Sequence, residues 1–271
     1  MIAETPVPSF PEPPTDLELV GVDADDTLWE TEGGFQEIQA RFEQLMGPHL
    51  ATDSVAAAHL EDVERRNLAV FGYGVKGFTL SMIETAIMLS DGAVTGDDIA
   101  HILDWSRELL GHTLEPYPGV VEALDLLATS NIRRSILTKG DLFEQESKVA
   151  ASGLADRFDG VEILPEKDEA HYDAVLRRWG VDPERFLMVG NSVRSDILPV
   201  LQLGGWAVWV PSVNQWAHEV AEPPTEHPRF AMARSLWEAV SLLPRERQPG
   251  RPASATGLAP ARSTARQGRP G

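Results

Sequence analysis

The sequence predicts an α/β protein in which a parallel sheet carries an inserted helical domain. Over most of the chain, short apolar runs alternate with segments of helical spacing, as in proteins built on a parallel sheet. Between residues 31 and 115 the alternation stops, and apolar residues recur at helical spacing with almost no strand pattern. Because this segment follows the first strand directly, we expect it to stand over the carboxyl end of the sheet.

Five apolar runs are predicted as strands, and four amphipathic segments as the helices between them. The predicted strands are Leu17–Val22, Ser135–Leu137, Val161–Leu164, Phe186–Val189 and Ala207–Val210. The predicted helices are Val120–Thr129, Phe143–Ser152, Glu169–Trp179 and Ser195–Gln202. Residues 1–15 and 245–271 are rich in Pro or in Pro, Gly and Arg without apolar periodicity, and are predicted to be disordered tails. The sheet core then comprises residues 16–30 and 116–244, and the helical domain residues 31–115.

Charge and composition exclude several kinds of partner and site. The formal net charge is −19, and the Arg residues after residue 244 make the rest of the chain more acidic still. Such a surface repels phosphate backbones and anionic lipids, so we expect no nucleic-acid and no membrane partner. The absence of cysteine excludes disulfides and thiolate metal sites, and the histidines lack zinc-site spacing. The first residues contain no secretory leader pattern, which predicts a cytoplasmic protein.

The first predicted strand ends in the acidic sequence Asp23-Ala24-Asp25-Asp26-Thr27. Alternate residues leaving a strand point to the same side, so Asp23 and Asp25 can face one pocket. Two adjacent carboxylates repel unless a cation lies between them, and oxygen ligands of this kind suit Mg²⁺. A solvated acidic turn remains an equally good interpretation of this motif taken alone.

Polar residues also follow the next three predicted strands. Thr138 and Lys139 precede a glycine turn and a helix, which is a suitable site for a phosphate oxygen. Lys167 follows the third strand and can offset charge on a transferring phosphoryl group. The fourth strand is followed by Asn191 and, five residues later, by Asp196. Each signal is weak alone, but their order along successive strand ends indicates one active site.

These motifs resemble those of the haloacid dehalogenase superfamily. The resemblance is carried by VDADDTLW, ILTKGD, the lysine in LPEKDE, and MVGNSVRSD, and extends from about residue 17 to residue 244. It implies a Rossmann-like core whose insertion between the first two motifs is a mobile helical cap, which corresponds to residues 31–115. It also implies hydrolase activity, and phosphatase activity in the branch that keeps both acidic residues of the first motif.

The resemblance assigns roles to individual residues. Asp23 would attack phosphorus to form an aspartyl-phosphate, and Asp25 would protonate the leaving oxygen and then activate water. The phosphoryl group would be held by Thr138, Lys139 and Lys167. Mg²⁺ would be bound by Asp23, the backbone carbonyl of Asp25, Asn191 and Asp196. Asn191 departs from the family pattern, which places an acid there, so its amide oxygen would ligate without charge.

Residues of the helical domain are candidates for selecting the substrate. Residues 72–77 match the GxGxxG pattern, but a dinucleotide site would need a preceding strand, and this stretch lies in the helical segment. We interpret it as a turn between helices that faces the site. The candidates are Trp29, Phe71, Tyr73, Lys76 and Phe78.

The predicted function is hydrolysis of a phosphorylated metabolite, which must be small because a closing cap excludes macromolecules. The protein is predicted to be a monomer or homodimer. Two alternatives remain. One is hydrolytic dehalogenation, although the dehalogenases of the superfamily lack the acid at the position of Asp25. The other is a catalytically inactive scaffold or regulator, for which Asn191 is the only indication.

Overall fold

The computed structural model describes residues 9–12, 14–50, 55–214, 216 and 219–243. The predicted tail 245–271 lies outside these residues, as do residues 1–8 and 13 of the predicted tail 1–15.

A fully parallel sheet of six strands forms the core and confirms the predicted fold class. Its strands are β1 (Leu19–Val22), β2 (Arg133–Lys139), β3 (Gly160–Leu164), β4 (Phe186–Gly190), β5 (Trp206–Trp209) and β6 (Phe230–Met232). They lie in the order β3-β2-β1-β4-β5-β6. The order reverses direction between β1 and β4, and open parallel sheets bind ligands at the carboxyl ends of strands beside such a reversal.

Nine α-helices are present in the described ranges, and four of them lie between β1 and β2 as an insertion. The inserted helices are α1 (Glu32–Met46), α2 (Ala56–Phe71), α3 (Val75–Leu89) and α4 (Gly96–Leu110). The others are α5 (Val120–Ala128), α6 (Leu142–Ala151), α7 (Glu169–Trp179), α8 (Leu198–Gln202) and α9 (Leu236–Ser241). None of the helices described is long and apolar enough to cross a membrane.

The central strand β1 is buried on both faces, as expected of a parallel sheet covered by helices. Val20 and Val22 pack into the apolar cluster formed with α5, α6 and α9. Leu19 packs on the opposite face, with α7 and α8. A Cβ at Gly21 would lie 2.8 Å from a methyl carbon of Leu137, so glycine lets the strands approach closely here.

The inserted helices have an apolar cluster of their own. Phe42 of α1, Leu60 of α2, Met82 of α3 and Ile102 of α4 are all at most 1% exposed and pack together. The insertion is therefore held together by burial separate from that of the sheet.

The chain leaves and re-enters the sheet core through two adjacent segments. Trp29 forms an isolated antiparallel bridge with Pro116. The backbone N–H of Tyr117 donates to the carbonyl of Leu28 over 2.8 Å. The two connections of the insertion are thus joined by backbone hydrogen bonds.

Three features differ from the sequence predictions. β6 and α9 were not among the predicted elements, and with three and six residues they are too short to show a clear period. The predicted helix at Ser195–Gln202 is a π-helical turn over Val193–Ile197 followed by the short α8. Such turns are rare and occur frequently at functional sites.

Candidate active site

The polar residues at four adjacent strand ends line one cavity. Asp23 follows β1, Lys167 follows β3, Asp196 follows β4, and Thr138 lies at the end of β2. The cavity has a volume of about 190 Å³, and its opposite wall comes from α1, α2 and α3. The sheet therefore brings these four predicted site residues together at its carboxyl edge.

Lys167 links two carboxylates in this cavity. Its Nζ lies 2.5 Å from Oδ1 of Asp23 and 2.6 Å from Oδ1 of Asp196, and all three side chains are almost fully buried. Burial raises the pKa of Asp23 to about 7 against the opposing effect of Lys167, and Asp196 adds to the rise. Burial alone would lower the pKa of Lys167, but its two carboxylate partners raise it. The lysine therefore remains charged between them.

The Asp196 side chain folds back over the end of β4. A Cβ at Gly190 would overlap the Asp196 carboxyl group, so glycine is needed for this approach. The backbone N–H of Ser192 donates to Oδ2 of Asp196 over 3.0 Å. These contacts leave Oδ1 facing Lys167.

Asp25 is held by four hydrogen-bond donors. Its Oδ1 accepts from Nε1 of Trp29 and from the hydroxyl of Thr31, each over 2.9 Å. Its Oδ2 accepts from Nε2 of Gln145 over 2.8 Å and from Nζ of Lys148 over 3.0 Å. Burial alone would raise the pKa of Asp25, but Lys148 and these hydrogen bonds outweigh it and lower the pKa. The carboxylate is therefore ionised and fixed in orientation.

Sequence reasoning missed Gln145 and Lys148, which reach the site from α6. Gln145 connects Asp25 with Thr138, whose hydroxyl donates to the amide Oε1 over 3.1 Å. Lys148 lies between Asp25 and Glu144, at 3.0 and 3.2 Å. The signal that could have found them is the helix itself, since Glu144 and Gln145 are polar residues on the buried face of a helix that starts beside a strand end.

Lys139, the predicted phosphate ligand, lines the cavity, but its ammonium group contacts carboxylates. Nζ lies 3.2 Å from Oε1 of Glu166 and 2.5 Å from Oε1 of Glu219. It also lies 4.3 Å from the centre of the Tyr73 ring, and the Tyr73 hydroxyl donates to Glu166 over 2.6 Å. Glu219 comes from the connection after β5, and no motif pointed to it.

Asn191, which replaces the usual acid of the fourth motif, also lines the cavity. Its backbone carbonyl accepts a hydrogen bond from Nε1 of Trp209 over 2.8 Å. The segment is therefore anchored at its main chain, beside the turn that carries Asp196.

Of the five residues predicted to select the substrate, Tyr73 and Phe78 line the cavity. Trp29 is fully buried and acts on the site through its indole hydrogen bond. Lys76 forms an ion pair of 2.7 Å with the residue that caps α6. Phe71 ends α2 with 49% of its surface exposed.

The GxGxxG stretch begins in a turn between α2 and α3, as interpreted from the sequence, and its second half forms the start of α3. Gly72 and Gly74 have positive φ angles of 73° and 95°, which favour glycine. The first backbone N–H of α3, at Val75, donates to Oε2 of Glu144 over 2.8 Å. This turn therefore joins the inserted helices to α6.

The helical wall of the cavity carries carboxylates of its own. Burial raises the pKa of Glu32 and of Glu64 to about 7. Repulsion by Asp26 adds to the rise at Glu32, and repulsion by Glu32 adds to the rise at Glu64. This wall also includes Phe35, Gln39, Asn67, Leu68, Phe78 and Ser81.

A protein-family model described as haloacid dehalogenase-like hydrolase matches residues 17–204. This span contains all four strand ends that line the cavity. The chain belongs to the haloacid dehalogenase-like hydrolase family. It is accordingly an enzyme of the hydrolase class, as the sequence motifs predict.

Similar proteins include phosphatases. A glyceraldehyde 3-phosphate phosphatase of Methanothermobacter thermautotrophicus is 27% identical over 206 residues, which cover 72% of this chain and 86% of that protein. The pyrimidine 5'-nucleotidase YjjG of Escherichia coli is 31% identical over 134 residues, covering 47% of this chain and 56% of that protein.

Solved structures share the fold. A haloacid dehalogenase-like hydrolase of Xanthomonas campestris has 39% identity and a TM-score of 0.73, over 88% of this chain and 94% of that chain. A 2-haloacid dehalogenase of Pseudomonas syringae has 23% identity and a TM-score of 0.55, over 83% of this chain and 97% of that chain. At that identity the second likeness concerns the fold alone.

The donors in the cavity fit a small divalent cation. Asp23 and Asp196 present carboxylates to the same ammonium group, and hard cations favour such oxygen ligands. Within the described residues, no cluster of three or more His, Cys, Asp or Glu side chains is placed to hold a metal. Further ligands must then be a backbone carbonyl, an amide oxygen or water, which suits Mg²⁺ because it keeps several waters.

Proposed function

We propose that this hydrolase is a magnesium-dependent phosphatase that cleaves small phosphorylated metabolites through an aspartyl-phosphate on Asp23. The observation that carries the proposal is the contact of Lys167 with both Asp23 and Asp196 in the cavity that Asp25 also lines. A nucleophilic carboxylate, a cation for the transferring group and an acid/base then share one site. The similarity to two phosphatases supports the same activity.

The balance of charge supports the need for a metal. Each of three lysines in the cavity contacts two carboxylates. The pairs are Asp23 and Asp196 at Lys167, Asp25 and Glu144 at Lys148, and Glu166 and Glu219 at Lys139. The lysines are more than neutralised, so a phosphate dianion entering this cavity needs additional positive charge.

The residues of the chain divide the reaction between them. Asp23 attacks phosphorus and the bond from phosphorus to the ester oxygen breaks. Asp25, which takes up a proton when the phosphate dianion lies beside it, gives that proton to the ester oxygen. In the second half, Asp25 takes a proton from water, the resulting hydroxide attacks phosphorus, and the bond to Asp23 breaks to release phosphate. Thr138 and Lys167 hold the phosphoryl oxygens, and Lys139 lines the same cavity.

Mg²⁺ would be held by Asp23, Asp196 and the backbone carbonyl of Asp25, with the amide of Asn191 as a neutral donor. When bound, it supplies the positive charge that offsets repulsion between the nucleophile and the phosphate.

Asp25 distinguishes this proposal from dehalogenation. Cleavage of a carbon–halogen bond releases halide, which needs no proton from an acid. Here Asp25 is fixed by four donors, two of which come from α6. A carboxylate fixed in orientation beside Asp23 fits a reaction in which a proton passes first to a leaving oxygen and then from water.

The size of the cavity limits the substrate. About 190 Å³ between the sheet edge and the inserted helices accommodates a small phosphate ester and excludes a macromolecule. Sugar phosphates, phosphoglycolate and nucleoside monophosphates are the candidates. The cytoplasmic location and the monomeric or homodimeric state stay predictions.

The test is a panel of phosphorylated metabolites and para-nitrophenyl phosphate, with 2-chloropropionate as a dehalogenase substrate. Phosphate release is measured with Mg²⁺ and with a chelator, for the wild type and for Asp23→Asn. We expect phosphate release that requires Mg²⁺ and disappears in the variant, and no release of chloride.

The other outcomes separate the alternatives. Chloride release without metal would replace the proposal by dehalogenation. No turnover of any substrate, in a folded protein, would favour the inactive scaffold. Phosphate release that a chelator leaves unchanged would contradict the metal but retain the phosphatase.

A further inference from the structure

Glu219 accepts three donors beside the active site, although it lies outside every motif of the family. Its Oε1 lies 2.5 Å from Nζ of Lys139, and its Oε2 accepts hydrogen bonds from the hydroxyls of Ser192 and Ser195. The side chain of Glu219 is only 15% exposed and that of Lys139 only 12%. The two serines are at most 5% exposed, so losing their acceptor would leave buried hydroxyls without it.

The two serines belong to the turn that aims Asp196. The backbone N–H of Ser192 donates to Asp196, and the backbone N–H of Ser195 donates to the Ser192 hydroxyl over 3.0 Å. The backbone carbonyl of Ser195 accepts from the Tyr172 hydroxyl over 3.1 Å. Glu219 therefore closes a hydrogen-bonded turn whose other end fixes the carboxylate that contacts Lys167.

Glu219 also holds the ammonium group of Lys139 in an ion pair. Lys139 lines the same cavity as Thr138 and Lys167, the residues proposed to hold the phosphoryl group. In the structure its ammonium group contacts the carboxylates of Glu166 and Glu219 and donates to the Ser195 hydroxyl over 3.2 Å. Removing one of two carboxylate partners leaves more of the positive charge to act on an anion in the cavity.

We infer that Glu219 is a positioning residue of the active site: it fixes the 192–196 turn that aims Asp196, and it holds Lys139 away from the phosphoryl group. The inference rests on the proposed phosphatase function for the second role alone. The first role concerns the geometry of the turn and holds for any reaction at Asp23.

The two roles are tested with separate variants. Glu219→Gln keeps an acceptor for the serines and removes the charge, whereas Glu219→Ala removes both. Glu222→Gln is the control, because Glu222 lies three residues further along the same connection and is exposed. Glu219→Gln combined with Lys139→Met removes the lysine whose charge would be released.

The first measurement is calorimetric binding of inorganic phosphate in the presence of Mg²⁺, together with steady-state kinetics. For Glu219→Gln we expect phosphate to bind about fivefold more tightly, and KM and kcat to fall together, since product release slows. Adding Lys139→Met should return phosphate affinity to the wild-type value. Damage to the fold alone would raise KM while lowering kcat, and that result would overturn the second role.

The second measurement is amide hydrogen exchange of residues 192–196, which does not depend on turnover. We expect exchange at least tenfold faster in Glu219→Ala and unchanged in Glu222→Gln. Unchanged exchange in Glu219→Ala would overturn the positioning role of the turn. If the wild type hydrolyses no phosphate ester, the proposed function fails, and the exchange result still decides this first role.

Discussion

The two walls of the cavity balance their charges differently. On the sheet side, carboxylates at strand ends contact lysines, as Asp23 and Asp196 contact Lys167. On the helical side, Glu32 and Glu64 have pKa values raised to about 7 by burial, and they repel each other. Burial raises the pKa of Asp23 to about 7 as well, but a lysine opposes that rise and balances the charge within the site, which suits chemistry. At Glu32 and Glu64 neighbouring carboxylates add to the rise, so the charge of this wall changes with what is bound, which suits the side that meets the variable part of a substrate.

The sheet wall should respond most strongly to loss of the nucleophile. We expect Asp23→Asn to lower kcat at least a thousandfold, because the amide cannot attack phosphorus. The midpoint of thermal unfolding should stay the same or rise, since the change removes a buried carboxylate that repels Asp196. Phosphate-release kinetics and circular dichroism check both parts. A variant that retains a tenth of the wild-type rate would show that another residue is the nucleophile.

Within the same wall, the fourth motif should set the demand for metal. Asp196→Asn removes one of the two carboxylates at Lys167, so we expect the Mg²⁺ concentration for half-maximal rate to rise at least tenfold. Asn191→Asp adds a charge and should lower it several-fold while activity is kept. The check is a magnesium titration of the three proteins at saturating substrate. If Asp196→Asn titrates like the wild type, Asp196 does not belong to the metal site.

The helical wall should change substrate preference more than rate. We expect Phe78→Leu, which alters the cavity wall, to change KM about threefold to tenfold, and differently for each member of the substrate panel. Lys76→Ala removes an ion pair whose side chains are 54% and 30% exposed and a contact with the Phe143 ring, and neither Lys76 nor Phe143 lines the cavity. Its KM should therefore stay within about twofold of the wild type. If the two variants change KM equally for every substrate, the residues that line the cavity do not differ in role from Lys76, which contacts the start of α6.

The smallest effect concerns stability. The pKa of Glu64 is raised to about 7 in the folded protein, so ionisation of this carboxyl group opposes folding. The stability that the protonated group contributes is fully present below the pKa of the unfolded state and is lost as pH rises through 7. Glu64→Gln should therefore be about 1–2 kcal/mol more stable than the wild type at pH 8, discounted for partial exposure, and close to it at pH 4.5. Thermal unfolding at both pH values measures this. Glu43→Gln, outside the cavity wall, is the control, and an equal gain there would refute the assignment.

The sheet wall could be predicted from sequence because each of its residues directly follows a buried strand. Once β1 to β4 are recognised, their carboxyl ends must meet, and Asp23, Thr138, Lys167 and Asp196 come together whatever the details of packing. The inserted helices could also be predicted, because apolar residues recur at helical spacing between residues 31 and 115.

The remaining parts of the site depend on side-chain packing that no local pattern encodes. Gln145 and Lys148 reach Asp25 only because α6 packs with that face toward β2. Glu219 lies in a connection that has no apolar periodicity. Lys76 forms an ion pair with the residue that caps α6 and does not line the cavity. These contacts are set by how elements are placed relative to one another, and this information is spread over the whole chain.

The paired connections at Trp29 and Pro116 have a consequence for how this protein can change. Because the insertion leaves and returns through hydrogen-bonded neighbours, its ends stay close whatever lies between them. Loop-closure entropy grows slowly with length, so exchanging a short loop for the 85 residues from 31 to 115 costs the sheet only about 2 kcal/mol. The helices also bury an apolar cluster of their own. Evolution can therefore exchange the inserted helices, and with them the range of substrates that we propose they select, while the residues at the strand ends are kept.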